Sequence, residues 1–399
     1  MCHNVLEEAM KLNQEIITHR RWLHANAETG FQLPQTSSYV RTELKKMGYH
    51  VRDCGRCGLT ATAGHGSPVF LLRADMDALP IREEVQTEFS CTNGNMHACG
   101  HDCHTAMLLG AAKLLKQEEH QLNGTVKFMF QPAEETLQGS MDMIRSGILE
   151  NPKPDAAMMI HMAVGIPVPS GTVIVSPPGL SAPSADYFTI QVQGKGCHGS
   201  APQEGIDALT AAAQILLALQ EIPAREMGIH DEAVLTIGTF HAGSASNVIA
   251  DTAVMGGTVR CFDLNLRQKL KQRIQEICTG IGSAFRTNVQ VSFDSGCPPL
   301  RNDPELCAKA EIFLKEVLGD KSISVEKLNP NGKPAAGGSE DFAYISQEIP
   351  TVMVALAAGE SDKGYTYPLH HPKVRFDEGA LPYGAAALCA MAMEYLNHG

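Results

Sequence analysis

The chain has 399 residues, too many for one ordinary hydrophobic core, so two domains are expected. With 44% hydrophobic and 19% charged residues it reads as globular rather than disordered. A formal net charge of −12 argues against nucleic acid or an anionic membrane as the main partner, and leaves a small-molecule site open.

The first residues, Met1 to Glu8, read as an amphipathic helix rather than a basic segment before an apolar run, so no signal peptide is expected. No stretch approaches the roughly 18 apolar residues of a membrane span. Twelve cysteines without a regular framework then fit reduced thiols and a cytoplasmic location. Cys54 and Cys57 have C-x-x-C spacing, but with no second pair nearby they read as two cysteines in a turn.

In chain order, Val5, Ala9, Leu12, Ile16 and Ile17 recur at helical spacing within residues 3 to 26, and Tyr39, Leu44 and Met47 do so within 36 to 47. Pro68 to Asp75 is a short apolar run ending in a carboxylate, the pattern of a buried parallel strand with chemistry at its C-terminal end. Then comes Met96-His97-Ala98-Cys99-Gly100-His101-Asp102-Cys103-His104, which packs two Cys, three His and an Asp into nine residues just before an apolar helix over 104 to 117. Residues 125 to 131 read as a strand followed by Gln131-Pro132-Ala133-Glu134-Glu135, and 156 to 161 as another strand ending in His161. Strands alternate with helices, so the class is α/β.

Prolines and glycines cluster between Pro167 and Pro183, which marks a boundary. Beyond it come an alternating strand over 187 to 194, a helix over 206 to 219, strands near 233 to 241 and 253 to 262, a helix over 266 to 284 and a strand over 289 to 293. That order, βαββαβ, is the ferredoxin-like unit. A second break at Gly296 to Leu300 closes it, and helix and strand patterns resume after 303, ending in a helix near 377 to 396. The expected organisation is a large α/β catalytic domain, residues 1–182 and 296–399, carrying an inserted ferredoxin-like domain, residues 183–295.

The candidate ligands are scattered along the chain: Asp75 and Asp77, Cys99 and His101, Glu134 and Glu135, His161, and His370 or His371. In an open α/β sheet, residues just past the strand C-termini converge in one crevice, so scattered positions can build one compact site. Taken singly, each has a bland reading. His161 alone fits a core histidine, Glu134-Glu135 a solvated pair, and Asp75-Met76-Asp77 a turn. Cys99-Gly100-His101 is the stronger signal, because both side chains can converge across a tight glycine turn. Together they suggest a metal hydrolase in which one carboxylate holds a metal and its neighbour moves protons.

The segments Arg73 to Pro80, Met96 to His104, Phe130 to Glu135 and Gly338 to Phe342 resemble those of the metal-dependent N-acyl-amino-acid amidohydrolases. That family includes hippurate hydrolase, aminoacylase-like deacylases and plant indole-acetyl-amino-acid hydrolases. The resemblance runs from about residue 15 to the C-terminus, with the motifs in family order. It implies two divalent metal ions per chain, zinc or manganese first, with cobalt or nickel as alternatives. It implies Cys99 as a bridging thiolate, His101 and His161 completing one metal, and Glu135 and His370 the other. His370 is preferred to His371 because the family's ligand lies two residues before the proline of this motif. Asp77 resembles a carboxylate that orients a ligand imidazole.

By the same resemblance Glu134 is the general base that takes a proton from metal-activated water and passes it to the departing nitrogen. His198, in Cys197-His198-Gly199-Ser200-Ala201-Pro202, is the implied oxyanion donor, from its own chain or across a dimer. Here the sequence departs from the family, which has Gly or Ala before this histidine and often a His after the proline, where this chain has Cys197 and Gln203. Asn247 and Arg260 match substrate-binding positions, and an arginine fork suits the α-carboxylate of an N-acyl amino acid. Ser339, Glu340 and Asp341 read as site support near the ligands, as a helix N-terminal cap that Ser339 fits, or as both. The implied reaction is hydrolysis of N-acyl-L-amino acids to an acid and a free amino acid, by a homodimer or homotetramer that uses the inserted domain as lid and dimerisation module.

Three other readings stay open. A thiol amidase would use Cys99 as nucleophile and His101 or His104 as base, but leaves Glu134, Glu135, His161 and His370 without a role. A binding protein without catalysis would not need Glu134. A carboxypeptidase or dipeptidase acting on small peptides would use the same di-metal centre.

Overall fold

The computed structural model describes residues 4–328 and 338–398. The chain forms two compact units, the smaller built on Ala182–Leu300 together with Gly338 to Glu340, and the larger on the rest of the described residues.

The N-terminal helical pattern is realised as α1 (Val5–Lys11) and α2 (Asn13–Ala25), interrupted at Leu12, with Ile16 and Leu23 buried. Residues 1 to 3 of that pattern lie outside the described residues. Next come α3 (Pro34–Lys46), with proline in its first turn where no N–H is needed, and β1 (Arg52–Cys54), β2 (Gly58–Gly64) and β3 (Val69–Asp75). All seven residues of β3 are buried, Arg73 among them. Helix α4 (His101–Gln117) begins three residues before the apolar run, so His101 is its first residue. It is followed by β4 (Thr125–Gln131), α5 (Gly139–Arg145), β5 (Ala156–Ala163) and β6 (Val173–Val175).

The smaller unit contains β7 (Ala185–Gln193), α6 (Ala208–Leu219), β8 (Ala233–Ala242), β9 (Thr252–Cys261), α7 (Leu264–Ala284) and β10 (Asn288–Cys297). Its sheet has the antiparallel order β8-β9-β7-β10, the ferredoxin-like arrangement of a βαββαβ unit. Asp207 and Asp263 cap α6 and α7 by accepting main-chain N–H bonds. The core of this unit gathers Phe188, Ile190, Ile215, Met255 and Ile274.

The larger unit is completed by α8 (Pro304–Leu318), β11 (Ser322–Ser324), β12 (Thr351–Ala357) and α9 (Leu381–His398). Its eight-stranded sheet has the order β1-β2-β4-β3-β5-β12-β6-β11. The central strands β4, β3, β5 and β12 are mutually parallel, while β1, β2 and β6 enter antiparallel to a neighbour. The chain runs from β3 to β4 on one side, then crosses to β5 on the other, so their C-terminal ends flank a switch in strand order. Among the described residues no helix is long and apolar enough to cross a membrane. Cys54 and Cys57 are unpaired thiols.

Candidate metal centre

Backbone geometry at two glycines builds the site. Gly100 precedes α4 in the left-handed region at φ 87°, and a Cβ there would meet Met162 Cγ at 2.9 Å. This turn sets Cys99 and His101 on either side of one residue. Gly139 lies so close to the Pro132 carbonyl oxygen that a Cβ would meet it at 1.6 Å, and Ala133 takes φ 55°. The tight fold after β4 brings Glu134 and Glu135 back over the strand ends.

The larger unit brings together Cys99, His101, Glu134, Glu135, His161 and His370. Cys99 Sγ lies 3.6 Å from His161 Nε2 and 3.2 Å from His370 Nε2. Glu135 Oε1 lies 3.5 Å from His370 Nε2 and 3.8 Å from His101 Nε2. Three overlapping groups, Cys99–His101–His161, Cys99–Glu135–His370 and His101–Glu134–Glu135, each hold their donor atoms within 4.8 Å of one another. His371 behaves differently from His370: its Nδ1 accepts from the Lys373 N–H, and its ring stacks on Tyr367.

Hydrogen bonds choose which imidazole nitrogen faces the centre. His101 Nδ1 donates to the Asp77 carbonyl oxygen at 2.8 Å, and His161 Nδ1 donates to the Met162 carbonyl at 2.8 Å. Each ring therefore presents an unprotonated Nε2 inward when neutral. His101 Nε2 and Glu135 Oε1 are buried and make no hydrogen bond. Buried polar atoms are rarely left so, and two of them converging beside a thiol are suited to a cation.

Asp77 holds His101, but through its main chain: its nearer carboxylate oxygen is 3.6 Å from His101 Nδ1. The carboxylate instead accepts the Glu134 and Glu135 N–H groups at 2.9 and 3.2 Å. It thus fixes the turn that carries both glutamates.

The electrostatics are those of a site short of positive charge. Burial and the neighbouring Glu135 push the Cys99 thiol well above its ordinary range. Burial, opposed by His101 and reinforced by Asp77 and Asp75, raises Glu135 to about 7. Burial works against a charged His101, yet Asp75 and the Cys99 side chain outweigh it and hold it above its usual range. A thiolate here needs a cation beside it, which weighs against Cys99 as a free nucleophile.

A buried polar network supports this centre, and the sequence assigned only part of it, Asp75 as a candidate ligand and Asp341 as site support. His104 Nδ1 donates to Asp75 Oδ1 at 2.6 Å, and its Nε2 accepts the Met162 N–H at 2.8 Å, next to His161. Arg73, with a fully buried side chain, pairs with Asp75 at 2.6 Å and Asp341 at 3.1 Å. Asp341 also accepts from Gln131 and the Ser140 N–H, and its own N–H donates to Glu134 Oε1 at 3.4 Å. The available signal was Arg73 itself, a charge inside an otherwise apolar buried strand.

His198, Asn247 and Arg260 belong to the smaller unit. His198 is exposed, and its Nδ1 accepts from the Ser200 hydroxyl at 2.7 Å and the Ser200 N–H at 3.1 Å. Neutral His198 therefore carries its proton on Nε2, the state of a hydrogen-bond donor. A short bridge pairs His198 with Val248, and the Gly199 N–H donates to the Asn247 carbonyl, so these two segments lie side by side. Arg260 donates to Ser339 Oγ at 2.8 Å and the Tyr187 hydroxyl at 3.3 Å. The expectation of Ser339 as a helix cap is corrected: the nearby helix begins at Ala343 with Phe342 as its cap residue, and the Ser339 hydroxyl is taken by Arg260.

Residues 71–394 match the model of peptidase family M20/M25/M40. The chain is 38% identical over 385 residues to IAA-amino acid hydrolase ILR1-like 2 of Arabidopsis thaliana, covering 95% of this chain and 84% of that protein. It is 36% identical over 401 residues to thermostable carboxypeptidase 2 of Saccharolobus solfataricus, covering 98% of each. Its structure resembles that of the Bacillus subtilis YXEP protein, described as a dinuclear metal binding peptidase from the M20 family. The TM-score is 0.76 and the identity 31%, over 97% of this chain and 99% of that one.

Proposed function

The chain belongs to peptidase family M20/M25/M40 and is a metal-dependent amidohydrolase, and from that premise we propose that it hydrolyses N-acyl-L-amino acids to a carboxylic acid and a free amino acid. The observation that carries the reading is the convergence of Cys99, His101, His161, Glu135 and His370, with Nε2 of His101 and Oε1 of Glu135 buried and making no hydrogen bond, beside a second glutamate, Glu134. The donor set fits two divalent cations: Cys99, His101 and His161 would hold one, and Cys99, Glu135 and His370 the other. Held there, such cations would supply the Lewis acidity that activates water and polarises the scissile carbonyl.

The chain's own groups do the rest. Glu134 takes the proton from the attacking water and delivers it to the departing amine. Its carboxylate is held by the Asp341 N–H at 3.4 Å, which fixes its position for both transfers. His198, with its proton on Nε2, donates to the oxyanion that develops on the carbonyl. Arg260 and Asn247 bind the substrate, the guanidinium taking the α-carboxylate. The ions are zinc or manganese, the enzyme works as a homodimer or homotetramer in the cytoplasm, and the inserted unit serves as lid and dimerisation module.

The likeness to a carboxypeptidase supports a second reading, cleavage of small peptides by the same centre. A panel of N-acetyl, N-benzoyl and indole-acetyl amino acids alongside unacylated dipeptides separates the two. The expected result is amino-acid release from acylated substrates, abolished by chelation and restored by added metal. Turnover of dipeptides alone would transfer the assignment to the peptidase reading, and turnover that survived complete chelation would contradict both.

A further inference from the structure

Strand register places four polar side chains on one face at the far edge of the large sheet. Thr60 of β2 stands opposite Arg52 of β1 on one side and Met129 of β4 on the other. Side chains two apart on a strand share a face, so Lys127 and Cys54 lie on the same face as Thr60 and Arg52. The segment after α5 covers them with Ser146, Gly147, Glu150 and Asn151, leaving a cavity of about 200 Å³. That is smaller than a site for an acylated amino acid and suits a small ion.

The cavity wall is cationic. Lys127 is buried, and its Nζ donates to the Glu150 and Pro152 carbonyls at 2.6 and 3.1 Å, using two of an ammonium's three N–H groups. Arg52 donates to the Asn151 carbonyl at 3.3 Å. Among the described residues neither cation has a carboxylate partner. The acidic residues of the wall are Asp53, which pairs with Arg41, and Glu150, whose carbonyl is what Lys127 uses. The Thr60 hydroxyl is buried there without a hydrogen-bond partner. Burial, opposed by Cys54 and Glu150 and reinforced by the Arg52 charge, lowers Lys127 to about 8. A buried cation hydrogen-bonded only to carbonyls, beside a second cation and an orphan hydroxyl, has room for an anion and, among the described residues, no carboxylate within ion-pair distance.

We propose that this cavity binds a small oxyanion, of phosphate or carboxylate size, through Lys127 Nζ, the Arg52 guanidinium and the Thr60 hydroxyl. It is separate from the candidate metal centre: Lys127 lies near the start of β4, whereas Glu134 and Glu135 follow its end.

The test is calorimetric titration of inorganic phosphate, and separately of acetate, into metal-loaded wild type and into the Arg52→Gln and Thr60→Val variants. Neither substitution touches the catalytic groups, and both avoid the loss of folding that replacing buried Lys127 invites. Anions can also bind at the metal centre, so the informative quantity is the difference between wild type and variant. One site per chain that each variant weakens by about tenfold, with turnover unchanged, is the expected result. The tighter of the two anions identifies the class. Matching isotherms in wild type and both variants, for both anions, would overturn the proposal.

Discussion

His101 is held by the main chain of Asp77: its Nδ1 lies 2.8 Å from the Asp77 carbonyl oxygen, while the Asp77 carboxylate is bonded to the N–H groups of Glu134 and Glu135. One residue therefore positions the His101 imidazole, the proposed ligand, with one group and the turn that carries Glu134, the proposed general base, with another. Asp77→Asn leaves the carbonyl in place and weakens the bonds to the turn. It should lower kcat by about 10- to 100-fold with metal content largely kept, since removing one charged hydrogen bond costs about 1.5–3 kcal/mol. Loss of metal as complete as in His101→Ala would show that the carboxylate holds the imidazole directly.

Metal affinity should depend steeply on pH. Without metal, Glu135 is raised to about 7 and the Cys99 thiol lies well above its ordinary range. Both must lose a proton to become ligands, so binding releases protons and affinity falls as pH drops through 7. Competition against a chromophoric chelator should give at least about tenfold weaker binding at pH 6 than at pH 8. Affinity independent of pH across that range would remove both groups from the ligand set. Cys99→Ala should lose metal along with rate.

Asp102, next in sequence to His101, is a stability residue. Its fully buried carboxylate is ion-paired to Arg20 at 2.8 Å and bonded to His24 Nδ1 at 2.8 Å. Burial opposes the charge, but Arg20 and His24 outweigh it and hold the carboxyl well below the usual range. A depressed carboxylate contributes stability that is fully present above its unfolded pKa of about 3.9 and is lost as pH falls through the folded value. Asp102→Ala should cost about 3–5 kcal/mol in urea unfolding near neutral pH, in chelated and metal-loaded protein alike. A loss confined to the loaded form would mean that Asp102 acts through the metal site.

The sequence made the catalytic strands legible because buried parallel strands are apolar runs. Pro68 to Asp75, residues 125 to 131 and residues 156 to 161 stood out this way, each with candidate ligands just past or at its end. The Cys99-Gly100-His101 turn was readable because only glycine takes φ 87° against Met162. What stayed hidden depends on partners distant in sequence. Arg73 bonds Asp341, 268 residues away, and no local pattern reveals that. Ser339 has the chemistry of a helix cap, but tertiary contact gives its hydroxyl to Arg260 instead. The strands β1 and β2 are short or rich in Gly, Ala and Thr, so their periodicity is weak; they exist because β2 pairs onto β4 and β1 onto β2.

The central claim is that Glu134 moves protons while its neighbours hold metal. Its most direct test is elemental analysis and turnover measured on the same samples of wild type and Glu134→Gln. The account predicts about two metal ions per chain in both proteins, with turnover in the variant lower by roughly 10² or more. Near-normal turnover in a fully metal-loaded Glu134→Gln variant would contradict it.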